Sequence, residues 1–269
     1  VITDFSAGVG AGDVVQLKEY GFTTFDEVKA AMTQVGADVH LTLSHLETLV
    51  FRNVQLDGFA ADDFKLPDQP IASQTWTRAN IGTSASETMY GSNTNERFEG
   101  KGGTDTYVGG KGDDTYLVDN VSQKVVEKAG EGIDTVESYV SYTLADNVEN
   151  LTLYGWGSTG TGNALGNRII GTAGNETLNG KGGVDWLKGG DGDDIFVFEK
   201  GSGGSTVADF HGIDSGTSER DVLHFSGYGD GAYLANAEDD YWSIHYEGGQ
   251  ETIHLAGVTS LQDGDYVFV

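Results

Sequence analysis

The sequence predicts an all-β protein: a parallel β-roll, in which short strands wind as a solenoid around one core, flanked by two duplicated β-rich cap units, the first with one short helix. Three observations lead there. A nine-residue pattern recurs in register in two blocks, at 82–117 and 162–197, and each block ends on glycines, an acidic pair and alternating apolar residues: GGKGDDTYLV at 109–118 and GGDGDDIFVF at 189–198. Residues 1–66 and 206–269 read as diverged copies of one unit. Glycine supplies 41 of the 269 residues, concentrated beside the aspartates, a composition of tight loops rather than helices.

Charge narrows the partners. Asp and Glu number 42 against 15 Lys and Arg, a formal charge of −27, which makes nucleic acid and anionic membrane surfaces poor partners. Such an excess either keeps a chain disordered by self-repulsion or is neutralised by cations, and glycines interleaved with aspartates favour cations. There is no cysteine, hence no disulfide and no thiolate metal site; a secreted protein of this kind needs another clamp. No apolar run approaches a membrane span and no signal peptide opens the chain, so membrane insertion is not expected and export would use another signal.

The first cap unit, 1–66, begins with the alternating strand DVVQL at 13–17. Thr24 and Glu27 make a capping-box pattern ahead of Phe25, Val28 and Met32, which predicts a helix over about 25–35, stopped by Gly36. HLTLSH at 40–45 and ETLVFRNVQL at 47–56 read as a hairpin, and ADDFKL at 61–66 closes the unit. Both prolines, Pro67 and Pro70, lie in 67–81, the predicted linker.

The roll is predicted over 82–205. Its eighth positions are Met89, Phe98, Tyr107 and Tyr116 in the first block and Ile169, Leu178, Leu187 and Phe196 in the second, all large enough to fill a core. Between the blocks an interruption at 118–128 leads to AGEGIDTVE at 129–137, which re-enters the pattern with Asp134 sixth. Alternating strands continue to about 155, so the roll reads as continuous, with a widened insert at about 118–161.

In the second cap unit, 206–269, VADF (207–210) matches ITDF (2–5), DVLHF (221–225) matches DVVQL, ETIHLAGV (251–258) matches ETLVFRNV (47–54), and GDYVFV (264–269) matches DDFKL (62–66). Residues 227–240 replace the predicted helix. A unit repeated in this way caps a β-roll, so the first copy is expected to end an upstream roll, and Val1 to begin a fragment of a longer protein.

The chemistry follows from stacking. Two nonapeptides make one turn of eighteen residues, so loops eighteen apart lie on the same edge. Glycines permit the tight loop and turn carbonyls inward, and sixth-position carboxylates from two stacked loops complete an oxygen cage. Calcium takes about six to eight oxygens in flexible geometry. The arithmetic pairs Glu96 with Asp114, Glu87 with Asp105, Asn167 with Asp185, and Glu176 with Asp194. The foremost metal candidates are Asp105, Asp114, Asp185 and Asp194, followed by Asp113, Asp193 and Asp134. Loop backbone at Gly100, Gly102, Gly109, Lys111, Gly180, Gly182, Gly189 and Asp191 completes the set. A solvated acidic linker would account for one such motif, but not for eight in-register repeats.

These motifs resemble the calcium-binding nonapeptide, glycine-glycine-x-glycine-x-aspartate-x-apolar-x, of the RTX (repeats-in-toxin) family, over about 82–205. The resemblance implies several calcium ions, a non-consensus insert such as that at 118–161, and type I secretion with a carboxyl-terminal signal, to which DGDYVFV at 263–269 is similar. It also implies ion-binding roles for the aspartates before phenylalanine, Asp209 and Asp4, with which Asp221 and Asp13 are grouped. The chain departs from the pattern at Ser205, where the family often has aspartate, and at the sixth positions Glu87, Glu96, Asn167 and Glu176. Those loops are expected to bind weakly or to act as hydrogen-bonded ladders.

Nothing points to catalysis. The six histidines form no HExxH motif, no nucleophile elbow or phosphate-binding loop is present, and acidic residues are too many for any two to stand out as an acid–base pair. His40, His224 and His254 lie in alternating runs and read as ordinary strand residues. Trp186, at a seventh position, is expected to point outward, and Trp156 sits with Tyr139, Tyr142 and Tyr154 on the insert. Trp156 and Trp186 are therefore candidates for stacking on sugar rings, with packing as the competing role; Trp76 and Trp242 read as packing residues. The sequence thus supports a secreted bacterial module, extracellular or at the cell surface, that is not an enzyme. Its expected role is calcium-triggered folding and type I secretion of a larger protein, its partners calcium and the secretion machinery. The alternative is a calcium-dependent carbohydrate-binding or adhesive module of a polysaccharide-active enzyme or surface adhesin, with extracellular polysaccharide as its partner.

Overall fold

The computed structural model describes residues 15–16, 28–29, 31–44, 47–52, 54, 64–65 and 78–269 except 214, and the chain divides into two compact units, Val1–Ser73 and Gln74–Val269. Among the described residues no helix is long and apolar enough to cross a membrane.

In the first unit Val15–Gln16 pairs in parallel with Phe64–Lys65. Met32–Val35, Asp38–Ser44 and Glu47–Phe51 form an antiparallel meander, so the predicted hairpin is present. The predicted helix over 25–35 is not: only Val28 and Lys29 are helical among its described residues, and 32–35 is strand. Thr24 and Glu27 lie outside the described residues; Met32–Val35 instead enters a two-residue hairpin turn, in which Gly36 at φ 66° supplies the left-handed conformation that the turn requires. Val28, Val39, Leu41 and Phe51 are fully buried.

The second unit is the solenoid, about seven turns long. One face stacks Arg78–Ile81, Glu96–Glu99, Thr115–Val118, Thr135–Ser138, Asn150–Leu153, Arg168–Ile170, Trp186–Lys188 and Thr206–Val207, all parallel. Residues 78–81, assigned to the linker from sequence, are thus its first strand. The other face stacks Thr88–Tyr90, Thr106–Val108 and Lys124–Val126, then a second sheet of Tyr142–Thr143, Thr159–Thr161, Thr177–Asn179, Ile195–Glu199, Val222–Ser226 and Tyr266–Phe268. Arg97 faces Thr115, Asn150 faces Arg168 and Thr177 faces Ile195, the expected eighteen-residue offset. The insert changes the count without breaking the stack, for Thr115 faces Thr135 and Thr135 faces Asn150.

Eighth-position side chains form the core. On the first face Phe98, Tyr116, Val136, Leu151, Ile169, Leu187, Val207 and Leu255 are successive register partners, and all are buried. Phe98, Tyr107 and Tyr116 pack ring on ring, with centroids 5.1 Å apart for Phe98–Tyr116. Gly160 takes the place of an apolar side chain where Leu151, Leu153 and Ile169 crowd the interior and fill the space a Cβ would need.

The carboxyl-terminal segment continues the solenoid's sheets. Gly249–Leu255 pairs in parallel with Thr206–Val207 and antiparallel with Tyr241–Tyr246, which pairs with Tyr233–Glu238. This meander repeats that of the first unit, and Leu223 facing Tyr266 repeats Val15 facing Phe64. The duplication therefore extends to register, and 227–240, which replaces the predicted helix, contains the strand equivalent to Met32–Val35. Trp242 is buried and its Nε1 donates to the carbonyl of Val258 at 3.0 Å, a packing role.

Truncating one rung should loosen every turn stacked on it. Leu187→Ala is expected to lower the stability of the calcium-saturated unit by about 2–5 kcal/mol, read as a lower midpoint in denaturant with an unchanged slope.

Candidate metal centre

Each nonapeptide places its sixth residue at the inner corner where loop becomes strand. At Asp105, Asp114, Asp185 and Asp194 the side chain turns toward the loop one turn earlier and accepts from that loop's sixth-position amide. The N–H of Glu87 donates to Asp105 Oδ1 (3.0 Å), that of Glu96 to Asp114 (2.7 Å), that of Asn167 to Asp185 (2.9 Å) and that of Glu176 to Asp194 (2.8 Å). These are the four pairs that eighteen-residue stacking requires. The other oxygen of each Asp lies over the first-position glycine of its own loop: at Gly100, Gly109, Gly180 and Gly189 a Cβ would collide with that carboxylate.

The ladder continues where the repeats do not. Asp114 N–H donates to Asp134 (2.8 Å), Asp134 N–H to Glu149 (2.8 Å), Asp185 N–H to Ser205 Oγ (3.0 Å) and Asp194 N–H to Asp221 (2.9 Å). Ser205 and Asp221 therefore occupy sixth-position rungs, although a 27-residue step separates Asp221 from Asp194. Glu149 and Glu127, inside the insert, are rung and cage residues that the sequence reading missed. The spacing at Glu149, fifteen residues beyond Asp134, falls outside any nine-residue register, and only the stacking reveals it.

The candidates divide by what their oxygens do. Asp105, Asp114, Asp134, Asp185, Asp194 and Asp221 are buried. The second oxygen of Asp105 accepts from the Gln123 amide at 3.2 Å, and Asp221 accepts from the amide of His211 at 2.6 Å. Asp113 and Asp193 lie on an outer ladder and accept from the amides of Ile133 and Arg220, both at 2.8 Å. Asp209 accepts from Gly189 and Gly190, both at 2.9 Å. Glu87 and Glu96 fold back on their own loops, to Thr83 and to Ser92 and Thr94. Asn167 is satisfied by the amide of Asn163 and the carbonyls of Val148 and Glu149. Among the third-position backbone groups, the Asp191 carbonyl accepts from Gly174 at 2.8 Å. Asp4 and Asp13 lie outside the described residues, as does Trp76.

Among the described residues, four buried carboxylate oxygens have no hydrogen-bond partner: Glu127 Oε2, Asp134 Oδ2, Glu176 Oε2 and Asp194 Oδ2. Burial pushes the carboxyl of Asp114 up to about 7, Asp134 to about 8, Asp194 to about 7, and Asp185 and Asp221 to about 6; Glu127, Glu176 and Asp209 also rise. The charges acting on Asp114, Asp134 and Asp194 are those of other carboxylates. Buried anionic oxygens without a basic partner, beside loop carbonyls, fit a hard cation such as calcium.

The two tryptophan candidates separate. Trp186 is 5% exposed and lies under the Arg168 guanidinium, 4.6 Å from the ring centroid, so it is a packed residue rather than an outward stacking platform. The seventh position does face out of the roll, but Arg168, one turn earlier in register, covers it. Trp156 is 84% exposed.

Fold and site together define a cation-binding β-solenoid. Its loops at 81–116 and 170–203 match the RTX calcium-binding nonapeptide repeat, in four copies; the chain carries RTX repeats, and repeats of this type bind several calcium ions. A stretch of 76 residues, 28% of the chain, is 40% identical to the endo-1,3-1,4-beta-glycanase EglC of Rhizobium meliloti (strain 1021). Another of 78 residues, 29% of the chain, is 40% identical to the endo-1,3-1,4-beta-glycanase ExsH of the same organism. Each match covers 16% of the relative's length.

Because the buried carboxylates titrate above their ordinary 3.8, their contribution to the calcium-free fold is full below about pH 4 and is lost as pH rises through about 6 to 8. In calcium-free buffer the second unit should melt at lower temperature at pH 8 than at pH 5. Saturating calcium should remove or invert that order.

Proposed function

We propose that this chain is a non-catalytic, calcium-folded module of a larger extracellular protein, exported unfolded by type I secretion. The observation that carries this reading is the ladder of buried carboxylates, in which the charges facing Asp114, Asp134 and Asp194 are those of other carboxylates. Where free calcium is scarce, those charges must be desolvated against one another, which opposes folding; outside the cell, calcium joins them and its binding free energy becomes folding free energy. The proposed ligands are Asp105, Asp114, Asp134, Asp185, Asp194 and Asp221 with the loop carbonyls. Far-ultraviolet circular dichroism and light scattering, followed as calcium is added to chelator-treated protein, test this. A cooperative gain of β-structure with compaction in calcium and none in magnesium is expected; a fully folded spectrum in chelator would sink the reading.

A second reading has support of its own. Trp156 stands exposed two residues beyond Tyr154, whose ring stacks on that of Tyr139 with centroids 5.4 Å apart, both about half exposed. Aromatic faces of this kind stack on sugar rings, and two relatives carry the name of β-glycanases. Under this reading the roll also holds an extracellular polysaccharide. Retardation of the calcium-loaded protein in gels containing mixed-linkage β-glucan should disappear in Trp156→Ala and persist in Trp186→Phe; equal mobility of wild type with and without glucan would argue against it.

A further inference from the structure

One group of carboxylates in the roll includes a member from outside the repeats. Asp114 and Asp134 are consecutive rungs of the ladder, while Glu127 comes from the interruption at 118–128, where the turn grows from eighteen to twenty residues. One oxygen from each of the three lies within 4.8 Å of the others, and all three side chains are buried. Asp134 is 1% exposed and Glu127 7% exposed, yet Asp134 Oδ2 and Glu127 Oε2 have no hydrogen-bond donor.

The surroundings hold these oxygens in place. The Tyr116 hydroxyl donates to Glu127 Oε1, and its ring is wedged against Phe98 and Tyr107. The carbonyl of Glu127 accepts from the Asn147 amide at 3.1 Å, and Asn147 itself sits in the left-handed region at φ 65°. Gly109 borders the group, and any Cβ there would collide with the oxygens of Tyr116, Glu127 and Asp114. Three carboxylates facing one another in a dry interior, two with an oxygen free, are costly without a cation. Oxygens that all lie within 4.8 Å of one another can share a single ion, and an all-carboxylate set is the hard-oxygen chemistry that calcium takes.

We infer that Asp114, Glu127 and Asp134 form an interior all-carboxylate site for a divalent cation of calcium's class, completed by the insert rather than by a nonapeptide. It rests on the calcium reading above and adds a ligand set to it. Glu127 ties the lengthened turn to the ladder through the ion, so the point at which the repeat register breaks is clamped by metal.

Equilibrium dialysis with calcium, followed by metal analysis, decides it. Glu127→Gln keeps the size and the acceptor for Tyr116, and is expected to bind one calcium fewer per chain than wild type while still gaining β-structure in calcium. Tyr233→Ala, exposed in the carboxyl-terminal meander and not a residue of the ladder, serves as the comparison. If wild type and Tyr233→Ala respond to calcium but Glu127→Gln binds as many ions as wild type with the same midpoint, the inference fails alone; if wild type binds no calcium, the general reading fails with it. Should Glu127→Gln not fold, Tyr116→Phe keeps all three carboxylates. Terbium emission sensitised by tyrosine should then be weaker than in wild type, and unchanged emission would overturn the site.

Discussion

The structure depends on one arrangement: a buried carboxylate that accepts the amide of the loop one turn earlier while lying against its own loop's first glycine. Asp105, Asp114, Asp185 and Asp194 all do this, and each would collide with any side chain at Gly100, Gly109, Gly180 or Gly189. The bond ties turn to turn along the edge, where strand hydrogen bonds have ended. It also takes the carboxyl groups of Asp114, Asp134 and Asp194 out of water, and the charges nearest to them are those of other carboxylates. The fold is thereby coherent in geometry and frustrated in charge, and a cation resolves the conflict.

The ladder explains how the roll tolerates irregular turns. Between Asp114 and Asp134 the step is longer than the eighteen-residue turn, and between Asp134 and Glu149 it is shorter, yet the amides of Asp114 and Asp134 still find a carboxylate and the core row from Phe98 to Leu255 remains unbroken. Extra residues are absorbed on the opposite face, where the Thr88–Val126 sheet ends and another begins at Tyr142. At the carboxyl-terminal end, Asp221 supplies a rung from the cap segment, so the cap joins the roll through the same contact as the repeats.

A group of exposed aromatic residues lies on the insert. Trp156, Tyr139 and Tyr154 project from the insert, whereas Trp186 is covered by Arg168. A calcium-dependent fold that presents such a group would couple polysaccharide contact to the same ions that drive folding, since the insert lies between rungs of the ladder.

Much of this was legible in the chain. The nine-residue register contains the eighteen-residue turn, the inward eighth positions, the four stacked pairs and the choice of calcium, because a solenoid repeats one local geometry and sequence period translates directly into space. The duplicated cap was legible as well, whereas the pairing of Val15 with Phe64 came from the structure. What sequence could not decide depends on contacts between residues far apart in number. At 32–35 the expected helix gives way to a strand because Met32–Val35 pairs with Asp38–Ser44. Trp186 is buried by a residue eighteen positions away. Glu127 and Glu149 carry no motif at all: they become part of the ladder and cage only because the insert, folded into the stack, sets them beside Asp134. A periodic sequence thus determines the regular turns, and the tertiary structure alone decides where an aperiodic one places its charge.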